Sequence, residues 1–372
     1  MCLVKQGIKI LKTPKVFVFT MIWMMILVVL GTLAQKEMGL FAVQEKYFSS
    51  WLFWVWYIPL PGGRLTMILM LINLSFFFFN KNLWKINKLG IIILHMGGFL
   101  LFIGGGLTAM FSSEGNMIID EGSQANYVED YQYMELAIIN TSMEGFDSYT
   151  IFDHPLLKRN KILENANLKF KFQIINYLDN CEPIRRNKPA GIQYRGMMKN
   201  FMISELTTLK EENMNRPGII FHLSDTGTKE DGIYGLFLGQ SIPQKITVGN
   251  QEYTIVFRRQ RTYLPFSIEL LDFKKVMHPG TGIAKSYSSD INLIEAGISK
   301  RILIKMNEPL RHRGYTFYQA SFIESSDGET TVLAAVKNYG RLFPYISSII
   351  MCIGLLIHLT MKLPDLFKKQ KV

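Results

Sequence analysis

Cysteine is almost missing from this chain: 372 residues hold three, at Cys2, Cys181 and Cys352. No two form a C-x-x-C pair, which argues against a thiol oxidoreductase. Cys2 falls in a basic lead and Cys352 in an apolar run, so only Cys181 lies in the long polar middle, where no internal disulfide is expected. No nucleophile elbow, zinc-protease helix, P-loop or dinucleotide fingerprint occurs. The run GTGIA at Gly280 follows a strand pattern but opens no helix, so it reads as a turn. Nothing here suggests a self-contained enzyme, and no catalytic residue is assigned.

Acid is also missing, but only locally. Ser112–Arg341 holds 27 Lys+Arg against 27 Asp+Glu, which leaves 14 bases and 3 acids elsewhere and hence the whole net charge of +11. A footprint for nucleic acid would concentrate charge in the soluble part, so no nucleic-acid partner is expected. Instead the bases crowd three short flanks: Lys5, Lys9, Lys12 and Lys15; Lys81, Lys85 and Lys88; Lys362, Lys368, Lys369 and Lys371.

Those flanks border apolar runs. Val16–Ala34, Leu65–Phe79, Leu89–Phe111 and Phe343–Met361 read as four membrane spans, the second of them short. The first is too long for a signal-peptide core and lacks a small-residue cleavage site. Pro344 sits in the first turn of the fourth, where its missing N–H costs little. The positive-inside rule puts all three basic flanks in the cytoplasm, which four spans starting inside also require. The expected order is a cytoplasmic lead at 1–15, three spans over 16–111, an exported domain at 112–341, and a fourth span with a cytoplasmic tail at 342–372. Tyr47–Tyr57, rich in tryptophan, reads as a segment lying at the outer surface rather than as the first half of a kinked second span.

The third run, LGIIILHMGGFLLFIGGGLTAMF, holds one ionisable residue, His95, and six glycines. A polar side chain in lipid faces a partner, a cavity or a cofactor. At 100° per residue Gly98, Phe99, Phe102 and Gly106 share its face. That face offers a ligand, two aromatic edges and two places without a side chain, so a flat group fits there. The competing reading has the glycines pack another helix while His95 hydrogen-bonds across to it. His358, in the fourth run, lies at a similar depth, roughly 6–10 Å inside the cytoplasmic boundary at 1.5 Å per residue. Two such histidines could share an iron as in membrane b-haem sites; His358 could equally snorkel to the interface.

The polar middle is β-patterned. Phe170–Tyr177, Pro265–Asp272, Arg301–Asn307, Gly314–Phe322 and Thr330–Lys337 are short strand-like runs, and Lys245–Arg258 is a hairpin around Gly249-Asn250. Thr141–Leu163 and Ser204–Pro217 read as loops or short helices. His154, His222, His278 and His312 show no ligand spacing and read as surface or β-core residues. His312 stands in RHRGY, a cluster suited to a carboxylate or propionate, or else a solvated turn. The fold class is therefore a membrane protein of four helices with a large, mainly-β extracytoplasmic domain.

Two long exported runs carry a resemblance. LPFSIELLDFKKVMHPGTGIAKSYSSDINLIE, Leu264 to Glu295, and IKMNEPLRHRGYTFYQASF, Ile304 to Phe322, resemble the ResB (CcsB) family of cytochrome c biogenesis proteins of System II. So do LGTLAQ at Leu30, YFSSW at Tyr47 and the His95 run, in the same order. Thr141–Pro217 shows no matching motif. The resemblance implies a role beside CcsA, a multi-span protein with a tryptophan-rich haem-handling loop. Together such proteins move haem outward and attach it to CxxCH motifs of apocytochromes c. It also implies that His95 is an axial ligand of the iron of a membrane haem b shared with CcsA.

On this reading the chain is a non-catalytic subunit of a haem-lyase complex in a bacterial inner membrane. Both termini are cytoplasmic and the large domain is periplasmic. Its partners are a CcsA-like protein, apocytochrome c and, more loosely, thiol-reducing thioredoxin-like proteins. The haem-facing residues are His95, Gly98, Phe99, Phe102 and Gly106, with His358 as a further candidate. The alternatives are a haem-free scaffold for CcsA and a b-type cytochrome that carries electrons.

Overall fold

The computed structural model describes residues 10–79, 84–142, 145–188, 190–281, 284–325 and 328–369. Cys2, Lys5, Lys9, Lys81, Lys371 and two residues of the GTGIA turn lie outside them. The chain divides into two compact units, Met1–Ser112 with Lys337–Val372, and Ser113–Val336.

The first unit is built on helices α1 (Pro14–Met38), α2 (Gly63–Phe78), α3 (Leu89–Phe111) and α4 (Phe343–Lys369). Pro14 opens α1, where its ring presets the helical φ and no N–H is needed. Among the described residues three helices are long and apolar enough to cross a membrane: Pro14–Met38, Ile86–Phe111 and Phe343–Leu363. The second expected span is the shorter apolar helix α2. Its 16 residues cover about 24 Å at 1.5 Å per residue, against a hydrocarbon core of about 30 Å.

The residues that would lengthen α2 are spent on a hairpin. Strands β1 (Leu52–Val55) and β2 (Ile58–Pro61) pair antiparallel from Leu52↔Pro61 to Val55↔Ile58. Trp56 turns the corner at φ 57°. Tyr47–Tyr57 is thus not a helical half-span: a π-turn ends at Phe48 and a strand follows. The Trp23 indole N–H of α1 donates to the Pro61 carbonyl at 2.8 Å and ties the hairpin to the helix. A Cβ on Gly62 would stand 2.3 Å from the Ser50 carbonyl oxygen, so this approach requires glycine.

Helices α3 and α4 pack through a stripe of glycines. A Cβ on Gly90 would lie 2.4 Å from the His358 backbone nitrogen, one on Gly97 2.8 Å from the Ser347 carbonyl oxygen, and one on Gly104 2.1 Å from Phe343 Cβ. Gly354 of α4 answers with 2.5 Å to the Leu94 nitrogen. Residues seven apart stay on one face of a helix, and small residues there let two backbones meet in lipid.

The second unit is all β apart from short turns, among the described residues. Its strands are β3 (Ser113–Asp120), β4 (Gln124–Asn140), β5 (Ser148–Asp153), β6 (Ile162–Leu163), β7 (Lys171–Leu178), β8 (Cys181–Arg185) and β9 (Phe201–Glu205). They continue as β10 (Gly218–Ser224), β11 (Gly232–Phe237), β12 (Gln244–Val248), β13 (Gln251–Met277), β14 (Ala284–Glu295) and β15 (Ile298–Lys305). The last three are β16 (Leu310–His312), β17 (Tyr315–Ser325) and β18 (Gly328–Lys337).

A ten-stranded sheet runs β15-β14-β13-β4-β3-β18-β17-β16, with β12 on β13 and β5 on β4; a four-stranded sheet runs β11-β10-β7-β6. The expected hairpin is present, with Val248 opposite Gln251 and Gly249 at φ 62°. Two cores result. Phe172, Phe221, Tyr234 and Ile255 belong to one, and Met117, Ile268, Ile291 and Phe317 to the other.

Strands β4 and β13 serve both cores. Their pairing is interrupted between Arg259 and Arg261 and between Tyr263 and Ile268. Beside the first break Glu135 is fully buried and accepts from Arg258 at 2.7 Å and from the Arg261 backbone N–H at 3.2 Å.

Candidate functional site

His95 sits on α3, which forms because its apolar residues run unbroken from Leu89 and its backbone has no other partner in lipid. The imidazole Nδ1 lies 2.8 Å from the Ile91 carbonyl oxygen, one turn earlier on the same helix. A carbonyl only accepts, so Nδ1 carries the hydrogen, and in the neutral ring Nε2 keeps its lone pair. This corrects the competing reading of His95 at one point: the bond runs back along α3 and does not cross to another helix.

The ring is held from the side as well. Phe77 of α2 stacks on it with centroids 4.0 Å apart and planes 10° from parallel. Phe78, next along α2, meets Phe99 edge-on at 5.8 Å.

His95 lines a cavity of about 690 Å³ with Phe17, Leu74, Phe76, Phe77 and Phe79. Sites for organic ligands run to about 300–1,000 Å³, mostly apolar with few polar groups. Here the polar groups are His95, Lys12 and Asn73. The Asn73 amide is turned elsewhere: it donates to the Leu11 and Thr13 carbonyls, at 2.5 and 3.0 Å. That chemistry suits a flat apolar ligand that accepts one nitrogen.

The six glycines of α3 divide. Gly90, Gly97 and Gly104 are occupied by α4, as the helix-packing reading has it. Gly98 would place a Cβ 3.9 Å from Leu74 Cδ2, and Gly105 and Gly106 have nothing within 4 Å of theirs. Of the residues expected on the His95 face, Gly98 and Phe99 therefore border α2. Gly106 is open, and Phe102 is half-buried away from the cavity lining.

His358 is not brought to His95. Its backbone abuts Gly90 on the α4 side, while the His95 ring stacks toward α2. His358 is not among the residues that line the His95 cavity, and no group of three metal-ligating side chains occurs among the described residues.

Two histidines of the β unit, His312 and His154, are engaged structurally. His312 Nε2 lies 2.9 Å from Glu295, which also takes Arg313. The carboxylate that RHRGY was expected to hold is thus one of the chain's own, and Arg313 with its partners keeps Glu295 below the usual carboxylate range. His154 stands between Tyr133 and Tyr177 and accepts from the Met134 N–H. Burial lowers its pKa, against the pull of Asp179 and Asp130. Burial pushes the Cys181 thiol up to about 11, which keeps it protonated near neutral pH.

Lys12, Asn73 and Phe77 escaped the sequence reading. Lys12 counted only as a topology charge, and the phenylalanine run had no period to set its direction. Asn73 did carry a signal: it is the one amide inside the apolar run of α2.

The model of the ResB-like family matches residues 231–332. That stretch runs from β11 into β18 and contains both long motifs. The chain is also similar to Protein NrfI of Wolinella succinogenes, 22% identical over 276 residues, which are 72% of this chain and 27% of that protein. The chain thus spans about a quarter of the length of that relative. The family match falls where the two long motifs pointed: over residues 231–332 the chain is similar to the ResB-like family.

Proposed function

We propose that this chain handles haem in cytochrome c maturation, as the partner of a CcsA-type membrane protein. The ResB-like match and the similarity to NrfI indicate cytochrome c biogenesis as the broad process. The finer reading rests on one observation, the set of His95. Its Nδ1–H is committed to the Ile91 carbonyl, its face to Phe77, and it lines a cavity walled by phenylalanines. Histidines that ligate a metal characteristically donate their other N–H to such a carbonyl, which fixes the ring and raises its basicity.

The haem is cargo on this reading, and His95 Nε2 supplies one axial nitrogen to its iron. Phe77 orients the ring, and Phe17 and Phe76 supply apolar wall. A second ligand and the surface for apocytochrome c belong to the partner. The chain crosses the membrane four times, with α2 as the short crossing and the β unit outside. Holding haem and apoprotein together is what accelerates their joining.

The test is His95→Ala in the complex with the partner. The protein stays inserted, because one small polar group is lost from a packed helix. Haem co-purifying with the complex falls sharply, and added imidazole restores part of it. Normal haem in the variant would refute the slot and leave the scaffold reading.

A further inference from the structure

The His95 cavity has one cationic side chain in its lining. Lys12 lies just before α1, in the basic flank, and is exposed, so it stands at the cavity's rim. Its Nζ sits 5.6 Å from the centroid of the Phe76 ring, which is itself cavity wall. The backbone on either side of Lys12 is clamped: the buried Asn73 amide donates to both the Leu11 and the Thr13 carbonyls. A buried amide inside an apolar helix is costly unless bonded, and here its bonds fix the stretch that presents this lysine. No acid lines the cavity among the described residues.

We infer that Lys12 is the carboxylate anchor of the His95 cavity, and that Asn73 is a positioning residue which holds it there. The inference rests on the haem reading of that cavity. Haem is an apolar plate with two carboxylates on one edge. A cavity with a nitrogen ligand in its wall and one ammonium at its mouth holds such a molecule in one orientation, carboxylate edge toward Lys12. An ammonium takes one carboxylate as a point charge, and a charge-assisted bond of this kind is stronger than a neutral one. The rival account is that Lys12 is merely one of the flank's topology charges. In that case Lys15, three residues on and outside the lining, is its equivalent.

The experiment titrates the full-length chain in detergent with ferric haem and, separately, with haem dimethyl ester, which keeps the iron and ring but has no carboxylate. Binding is followed by Soret absorbance and tryptophan quenching. The quantity read is the ratio of the two affinities, so micelle partitioning cancels between variants. The wild type is expected to prefer the acid about fivefold, the upper range for a pair at an exposed mouth, and less at high salt. Lys12→Gln abolishes the preference, Lys12→Arg keeps it, Asn73→Leu weakens it, and Lys15→Gln leaves it unchanged. An acid-to-ester ratio that Lys12→Gln does not alter, or that Lys15→Gln alters equally, overturns the anchor while binding still depends on His95. Haem binding that His95→Ala does not reduce, or its absence in the wild type, overturns the cavity reading and the anchor with it.

Discussion

Gly97 and Gly98 are neighbours in sequence, yet the fold gives them opposite duties. An added Cβ at Gly97 would stand 2.5 Å from Met351 Cγ, 2.8 Å from the Ser347 carbonyl oxygen and 3.0 Å from the Met351 nitrogen. Carbon contacts settle at about 3.5–4.0 Å. The Met351 side chain can swing aside, but the two backbone atoms belong to α4, so α3 and α4 must part by the order of 1 Å. Such overpacking costs about 1–3 kcal/mol. At Gly98 the same Cβ meets only Leu74 Cδ2, at 3.9 Å. Replacing glycine by alanine also gains helix propensity, but equally at both sites, so the difference between the two variants isolates the packing cost. Gly97→Ala should be less stable than Gly98→Ala by about 1–3 kcal/mol, a factor of about 5 to 140 in the folded ratio. The assay is SDS titration of the purified protein in micelles, followed by near-UV signal. Gly98→Leu should leave the midpoint near wild type but deplete haem, because its side chain grows toward the Leu74 wall of the cavity. Equal midpoints for the two alanine variants, or the reverse order, would refute the assignment of the two faces.

Phe77→Ala frees the His95 ring and should lower haem content severalfold without a change in insertion, whereas Phe77→Trp should retain it. Glu135→Gln leaves the buried Arg258 cation without its counter-charge; it should cost about 3 kcal/mol, read by pulse proteolysis of the full chain in urea. His154 has its pKa lowered by burial. Its contribution is therefore complete above the ordinary 6.5 and is lost as pH falls through the folded value. His154→Phe keeps the contacts with Tyr133 and Tyr177 but should remove the part of the pH slope that begins below 6.5, while the Glu295 part, below 4.5, remains. A reporter active only outside the cell should be active when fused after Phe111 or Arg341 and silent after Lys85 or Lys369; activity after Lys85 would end the four-span reading.

What was legible in the sequence was what depends on local pattern. The strands Lys171–Leu178 and Tyr315–Ser325 lie within a residue or a few of their apolar runs, because a half-buried strand writes its burial into alternate residues. Ser148–Asp153 was missed, although Thr150 and Phe152 alternate inward, because its polar flanks diluted the pattern. Lys245–Arg258 and Pro265–Asp272 read as separate runs but contribute to one 27-residue strand, β13. Around Pro265 the chain interrupts its pairing, between Tyr263 and Ile268, and continues. The length of that strand is decided by two cores that are assembled from distant segments, which no window of sequence contains.

The candidate site shows the same division more sharply. His95 is visible because an ionisable residue in an apolar run is costly wherever it points. Its neighbours are not, because a helix that is apolar on every side has no period to say which phenylalanine faces which partner. The six glycines illustrate the ambiguity: at 100° per residue Gly97 and Gly98 belong to different faces, but the wheel cannot say which face meets protein. The answer comes from α4, more than 200 residues later, whose backbone claims Gly90, Gly97 and Gly104. Gly97 lies about 200° round the helix from His95. The helix that takes the glycine stripe therefore turns the histidine away from itself, toward α2 and the cavity. The packing reading and the ligand reading of α3 looked like rivals in the sequence. In the fold the first is the condition for the second: because α4 fills one face through the glycines, the opposite face is left to His95 and its phenylalanines.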